Sequence, residues 1–140
     1  MVLQGKEQIC KYIPQRDPIV MVDTLYEISP DVSVTGLTIE PDNMFVHDGA
    51  LRDGAVVEHM AQSGALHIGY EHVSRGLPVP IGLIGSLNKI VWHRLPRVGE
   101  QLKTTIVMEA RVGDVTLVGA TVRVGDEVVV EGKLKVATPE

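Results

Sequence analysis

The chain has 140 residues, of which 44% are hydrophobic and 22% charged, and its formal net charge at pH 7 is −5. This composition fits one domain with a real core and excludes a disordered chain, while the acidic charge and an aromatic fraction of 4% argue against nucleic-acid binding. The single cysteine, Cys10, cannot form an internal disulfide, and neither an apolar run of ~18 residues nor a leader is seen, so we expect a cytoplasmic protein that does not enter the membrane.

The first forty residues predict a short helix followed by two strands. The helix is expected from Gly5 to Tyr12, since Pro14 cannot continue it. An apolar run opens the segment Ile19 to Ile28 and predicts a buried strand, and alternating residues from Val32 to Ile39 predict a second strand. Ser29 to Asp31 has the composition of the turn between them.

The segment from Phe45 to Gln62 carries the most chemical information. His47 follows a predicted strand, and a helix is expected from about Asp53 to Val73 with Asp53 as its N-cap. Glu58 falls in the second turn of this helix. An imidazole and a carboxylate therefore stand at the two ends of one loop, where a base and an acid can face the same substrate atom.

The long helix is predicted to have one apolar face and an opposite, polar face. At 100° per residue His59 lies opposite the apolar face, so we expect it to be exposed to solvent, and Glu58 and Gln62 lie on the flank. From the residues alone, Glu58 is most often a solvated side chain and Gln62 a hydrogen-bonding flank residue. The predicted apolar face consists of Val57, Met60, Ala61, Gly64 and Ile68.

The C-terminal half is predicted to be entirely β. Glycine–aspartate pairs at 113–114 and 125–126 suit two-residue hairpin loops, so we expect an antiparallel meander. One apolar helix and a long antiparallel sheet bury one face each when the sheet wraps around the helix, which predicts an α+β fold in a single domain over residues 1–140. The expected strands are Pro80–Trp92, Leu102–Val112, Val115–Val124 and Glu127–Val136.

Three motifs in the same order resemble the hot-dog-fold 3-hydroxyacyl-ACP dehydratases. The segment 13–23, IPQRDPIVMVD, is similar to the N-terminal segment of that family, His47 to its motif histidine, and 58–62, EHMAQ, to its helical Glu-x-x-Ala-Gln. The segment 91–102, VWHRLPRVGEQL, is similar to its aromatic strand and turn. Gln15 replaces a histidine of the family, and the short loop after His47 resembles a divergent branch associated with aryl polyene pathways.

The resemblance implies a hot-dog fold and the reversible loss of water from a 3-hydroxyacyl thioester. It implies that His47 is the base, that Glu58 from the dimer mate is the acid or orients water, and that the backbone N–H near Gly54 holds the thioester oxygen. Acyl carrier protein would be the partner, and the assembly a homodimer, a larger homo-oligomer or a heterodimer with a related dehydratase. No cofactor and no metal are implied. The substrate-binding residues would be Gly54, Gln62, Trp92 and Arg94.

Three alternatives stay open. The first is a hot-dog acyl thioesterase in which Glu58 activates water and His47 is secondary. The second is a non-catalytic subunit that binds acyl-ACP or completes a heterodimer with an active dehydratase. The third concerns the end of the strand that follows the long helix. It forms either a basic, aromatic rim for the phosphopantetheine of a carrier or a solvated strand end, and its residues are Trp92, His93, Arg94 and Arg97.

Overall fold

The computed structural model describes residues 1–138, with Leu83 by its backbone alone. Within these residues the helices and strands follow the predicted order, and none of the helices is both long and apolar enough to cross a membrane. In chain order the elements are β1 (Leu3–Gln4), α1 (Lys6–Ile9), β2 (Thr24–Ile28), β3 (Val32–Thr38), β4 (Val46–His47), β5 (Ala50–Leu51), α2 (Asp53–Ser74), β6 (Leu83–Trp92), β7 (Gln101–Val112), β8 (Val115–Val124) and β9 (Glu127–Ala137).

One antiparallel sheet packs around α2, as expected. Its strands lie in the order β1-β2-β3-β7-β8-β9-β6, and β4 and β5 form a separate hairpin. The meander is confirmed for β7, β8 and β9, whose turns place Gly113 and Gly125 at φ of 60° and 58°. It is wrong for β6, which pairs with β9 instead of β7. The two hairpin loops already make β7, β8 and β9 neighbours, so the strand that follows the helix is left at the far edge of the sheet.

The predicted strand from Ile19 is wrong in its first half, because β2 begins only at Thr24. Residues 20–22 are fully buried, but they have no strand partner. A helix side chain takes that place: Gln62 accepts the backbone N–H of Met21 at 2.7 Å and donates to the carbonyl of Ile19 at 2.8 Å. Buried backbone groups need partners, and here an amide side chain supplies them.

The predicted division of α2 into an apolar face and a solvated face is also wrong. His59 and Ser63, placed on the polar face by the helical wheel, are fully buried. The sheet provides hydroxyl partners for this side of the helix, so polar residues can be buried there without being left unpaired. Three residues of the predicted apolar face, Met60, Ala61 and Ile68, pack as expected into the core with Ile106, Val118 and Leu134. Val57 was predicted on the same face but is half-buried and lies outside this core cluster.

Candidate active site

His47 lies on a tight hairpin that the sequence reasoning treated as an irregular loop. The strands β4 and β5 pair His47 with Ala50, and the two residues between them, Asp48 and Gly49, have φ of 52° and 76°. A two-residue loop with positive φ at both positions is a type I′ turn, for which Asp-Gly is a preferred sequence. The Asp-Gly pair was therefore the signal that predicts this hairpin, and it accounts for the short loop after His47.

Backbone hydrogen bonds fix this hairpin to its neighbours on both sides. Leu51 donates to the carbonyl of Pro96 at 2.8 Å, and Val98 donates to the carbonyl of Gly49 at 2.9 Å. Arg52, at the entrance to α2, donates to the carbonyl of Phe45 at 3.0 Å. The His47 hairpin, the start of α2 and the loop after β6 therefore form one hydrogen-bonded unit.

The imidazole of His47 is open to solvent. Its side chain is 67% exposed, and its Nε2 lies 3.3 Å from the carboxylate of Asp48, which is 91% exposed. A contact between two such exposed groups is weak because water screens it. The ring is thus accessible to a substrate or to a second protein chain.

Glu58 lies in the second turn of α2 and is half-buried. Its neighbour His59 is fully buried, and Ala55 and Val56 in the preceding turn are buried as well. No hydrogen bond or ion pair of Glu58 is found among residues 1–138. Its oxygens are therefore available to a substrate.

The first turn of α2 begins differently from the prediction. Asp53 is the first helical residue and not the N-cap, which is Arg52, and no side chain caps the helix. The carboxylate of Asp53 instead accepts the N–H of Gly54 at 2.8 Å, which takes it away from the capping position. The N–H groups of Ala55 and Val56 donate to the carbonyl of Arg52 at 3.1 Å, and an oxygen bound at the exposed Gly54 would have to replace the Asp53 carboxylate.

A surface cleft of about 350 Å³ joins two predicted substrate-binding residues to the start of α2. The indole of Trp92 is 40% exposed and forms part of its wall. An exposed ring beside charged groups can cover an apolar chain and still present its N–H to water. The cleft is lined by Arg52, Asp53, Trp92, His93, Arg94 and Leu95.

Arg94 is held by two carboxylates. Its guanidinium donates to both oxygens of Glu100 at 2.8 Å each and to Glu127 at 3.1 to 3.2 Å. These hydrogen bonds raise the pKa of Arg94, and the Arg94 guanidinium lowers the pKa of the Glu100 carboxyl. The positive charge of Arg94 is therefore balanced within the protein, whereas Arg52 and Arg97 are exposed and make no ion pair within the described part of the chain.

Gln62 and His59 contact the N-terminal segment and not the cleft. The amide of Gln62 is buried and bonded at both ends to the backbone of Ile19 and Met21, as the hydrogen-bonding interpretation expected. His59 is bonded to Met21 and Thr104, which corrects its predicted exposure. Burial lowers the pKa of His59 to about 4, against smaller opposing effects of the Met21 hydrogen bond and Asp23. The sequence pattern held no sign of these partners, because they are 38 and 45 residues away.

Comparisons with known proteins relate this chain to dehydratases. Residues 7–140 match the model of the ApeP-like family, described as ApeP dehydratase. The 3-hydroxyacyl-(acyl-carrier-protein) dehydratase FabZ of Natranaerobius thermophilus is 28% identical over 139 residues, which span 95% of this chain and 96% of the relative.

Solved structures show the same fold. The dehydratase heterocomplex ApeI:P from Xenorhabdus doucetiae superposes with a TM-score of 0.89 at 18% identity, covering 94% of this chain and 91% of that one. Thioesterase superfamily member 2 from Mus musculus superposes with a TM-score of 0.65 at 11% identity, covering 83% and 81%. The hot-dog fold and the dehydratase resemblance are thereby confirmed: the chain belongs to the ApeP-like dehydratase family.

Proposed function

We propose that this dehydratase removes water from 3-hydroxyacyl thioesters carried on acyl carrier protein, with His47 as the base and Glu58 as the acid. The observation that supports it most is the hydrogen-bonded unit that joins the His47 hairpin to the helix carrying Glu58. It fixes the exposed imidazole of His47 relative to the helix that carries the half-buried Glu58, so each protomer can present both groups to a partner protomer.

The proposed reaction needs two proton transfers. The imidazole of His47 takes the proton from C2 of the acyl chain, and Glu58 in its protonated form donates a proton to the C3 hydroxyl as the C–O bond breaks. The electron pair of the C2–H bond forms the C2–C3 double bond, and water leaves. The N–H group of Gly54, released by the Asp53 carboxylate, would hold the negative charge that develops on the thioester oxygen.

The assembly is proposed to be a dimer that forms at the free edge of β6. This strand pairs with β9 on one side only, and it exposes apolar side chains that a lone chain would leave in water. A long apolar edge strand favours pairing with another chain. His47 is exposed in one protomer and would meet Glu58 of the partner protomer in the dimer. The exposed apolar residues of β6 are Ile84, Leu87, Val91 and Trp92.

The carrier is proposed to approach the cleft beside Trp92. Arg52 lines that cleft and Arg97 lies next to the His47 hairpin, so both exposed cations can pair with a phosphate of the prosthetic group. Trp92 would cover the acyl or pantetheine chain, while Arg94 would shape the wall of the cleft through its two glutamates. We place this reaction in the cytoplasm and in lipid or polyene synthesis, in agreement with the carrier named for the FabZ relative.

The reaction is tested by hydration of a 2-enoyl thioester, followed as loss of enoyl absorbance. His47→Ala and Glu58→Gln should each lower kcat by ~10²–10⁴-fold, because each removes a positioned proton-transfer group. His72→Ala is the matched control, since this histidine lies in the last turn of α2 and does not line the cleft. Equal activity of His47→Ala and the wild type would contradict the mechanism.

Mixing two inactive variants tests whether the site is shared between protomers. If His47 of one chain works with Glu58 of the other, a heterodimer of His47→Ala with Glu58→Gln contains one intact site. Random re-pairing should then restore about a quarter of wild-type activity, since half of the dimers are mixed and each has one intact site of two. No recovery from re-paired chains would show that each site is built within one protomer.

The same preparation separates the remaining alternatives. Release of free thiol from an acyl thioester would favour a thioesterase. A wild type that is inactive alone and active after mixing with a related dehydratase would favour a subunit of a heterodimer, an outcome suggested by the heterocomplex among the similar structures.

A further inference from the structure

Helix α2 contains four polar side chains that are completely buried, namely His59, Gln62, Ser63 and His67. Each has a hydrogen-bond partner outside the helix. None of the four takes part in the proton transfers proposed above. Their positions along the helix differ, and His59 is the one that directly follows Glu58.

The hydrogen bonds of His59 define which ring nitrogen carries the proton. Nδ1 lies 2.6 Å from the carbonyl oxygen of Met21, and a carbonyl can only accept, so Nδ1 is the protonated nitrogen. Nε2 therefore accepts the hydroxyl proton of Thr104 at 2.7 Å. The neutral ring bridges the N-terminal segment on one side of α2 and strand β7 on the other.

The start of α2 is attached through the backbone of Arg52 and through the buried side chains of Ala55 and Val56. Arg52 provides no side-chain cap, and Gly54, the second helical residue, is exposed and has open space around it. Both features lower the stability of the first turn, because a missing cap and a glycine each weaken a helix end. His59 is the first buried polar side chain of α2, and its ring is the hydrogen-bonded anchor nearest to Glu58 in the helix.

We propose that His59 is a positioning residue for Glu58, acting through its hydrogen bonds to Thr104 and Met21. This proposal rests on the function proposed for Glu58. Consecutive residues of a helix are related by a fixed rotation of 100°, so anchoring His59 sets the direction and depth of Glu58. A displacement of about 1 Å at a reacting group can lower a rate by ~10²-fold.

The sheet offers a matched control for the Thr104 contact. Thr35 on β3 lies directly opposite Thr104 on β7, and it bonds Ser63 of α2 at 2.8 Å. Both threonines are fully buried, and both hydroxyls bind a side chain of the same helix. They differ in the helix residue that they hold, because Ser63 lies one turn further from Glu58.

The test compares Thr104→Val, Thr104→Ser and Thr35→Val in hydration of a 2-enoyl thioester. Thr104→Val should lower kcat by roughly 10- to 100-fold with KM within about two-fold, because the catalytic group is displaced while the binding cleft is unchanged. Thr104→Ser keeps the hydroxyl and should restore kcat. Thr35→Val should lower the melting temperature by a similar amount and leave kcat within about two-fold of the wild type. Equal loss of kcat in the two valine variants, or none in Thr104→Val, would overturn the proposal.

Amide hydrogen exchange gives a second measurement that does not depend on activity. Thr104→Val should speed exchange at the amides of residues 57–59 more than Thr35→Val does, since the anchor next to them is lost. Unchanged exchange there would refute the positioning role even if the wild type is active. Faster exchange in a protein without dehydratase activity would instead refute the proposed function and retain the anchor.

Discussion

The buried ring of His59 makes the stability of the protein sensitive to acid. Burial lowers the pKa of His59 to about 4, whereas the unfolded chain has the ordinary value of 6.5. Between these two values the unfolded state binds more protons than the folded state, so the free energy of unfolding falls as the pH falls. The contribution of His59 is complete above pH 6.5 and is lost through this window.

We expect the free energy of unfolding to fall by about 2 kcal/mol between pH 7 and pH 5 on account of His59. Urea unfolding at both pH values measures it. His59→Asn removes the titrating ring, so its pH dependence over this range should be smaller by about that amount. An unchanged slope in the variant would show that other groups cause the acid sensitivity.

Arg94 was expected to bind substrate, but its guanidinium is paired with carboxylates of the same chain. The ion pairs with Glu100 and Glu127 connect the end of β6 to the turn before β7 and to the start of β9. The side chain of Arg94 is 31% exposed, so water screens part of this interaction.

Arg94→Met should lower the free energy of unfolding by about 1 kcal/mol, the upper range for a partly exposed ion-pair network. Arg97→Met should leave stability unchanged and raise KM for a carrier-bound substrate, since Arg97 makes no ion pair within residues 1–138. Thermal unfolding and steady-state kinetics of both variants check this. If Arg94→Met raised KM and Arg97→Met lowered stability instead, the carrier-binding role would belong to Arg94.

At the scale of elements, two glycines of α2 differ in how well they would tolerate a side chain, because one lies against backbone and the other against a side chain. A Cβ on Gly69 would overlap the backbone carbonyl of Tyr12, which cannot move as a side-chain tip can. A Cβ on Gly64 would only touch the side chain of Val118, at 3.5 Å. Gly69 therefore avoids a clash with backbone, whereas Gly64 only borders a side chain.

Gly69→Ala should destabilise the protein by about 1–3 kcal/mol, the usual effect of overpacking. Gly64→Ala should be neutral or stabilise it by up to about 1 kcal/mol, because alanine has the higher helix propensity. The melting temperatures of the two variants test the pair. A similar loss of stability in both variants would mean that the change within the helix itself, and not the contact with Tyr12, causes the destabilisation.

At the scale of the whole molecule, β6 leaves an apolar edge that one chain cannot cover. Val112, which is 77% exposed, lies on β7 away from this edge and provides a comparison. Lysine on an edge strand opposes pairing with another chain because its charge must stay in water.

The double variant Leu87→Lys with Val91→Lys should be monomeric and lose dehydratase activity, if the site is shared across this edge. Light scattering after size-exclusion chromatography gives the mass, and enoyl hydration gives the activity. Val112→Lys should keep the mass and activity of the wild type. A dimer that survives the double substitution would place the interface elsewhere.

The sequence by itself determined the features that depend on neighbours along the chain. Hairpins at the two Gly-Asp pairs, a long helix ending near residue 74 and a sheet built of valine-rich strands follow from local conformational preferences. The family resemblance, carried by His47, Glu58 and the segment before β2, was also present in the linear pattern, and the family match confirms it. The hairpin at Asp48-Gly49 belongs to this class too, because Asp-Gly is a preferred type I′ sequence.

Only the tertiary structure decided which polar residues are buried. A helical wheel places His59 and Ser63 opposite the apolar face and Gln62 on its flank, because the wheel does not contain the sheet. Their partners come from residues 19–21, from β3 and from β7, and these meet the helix only when the chain is folded. The free energy of a buried polar group depends on whether its partner is present, and that is a property of the fold.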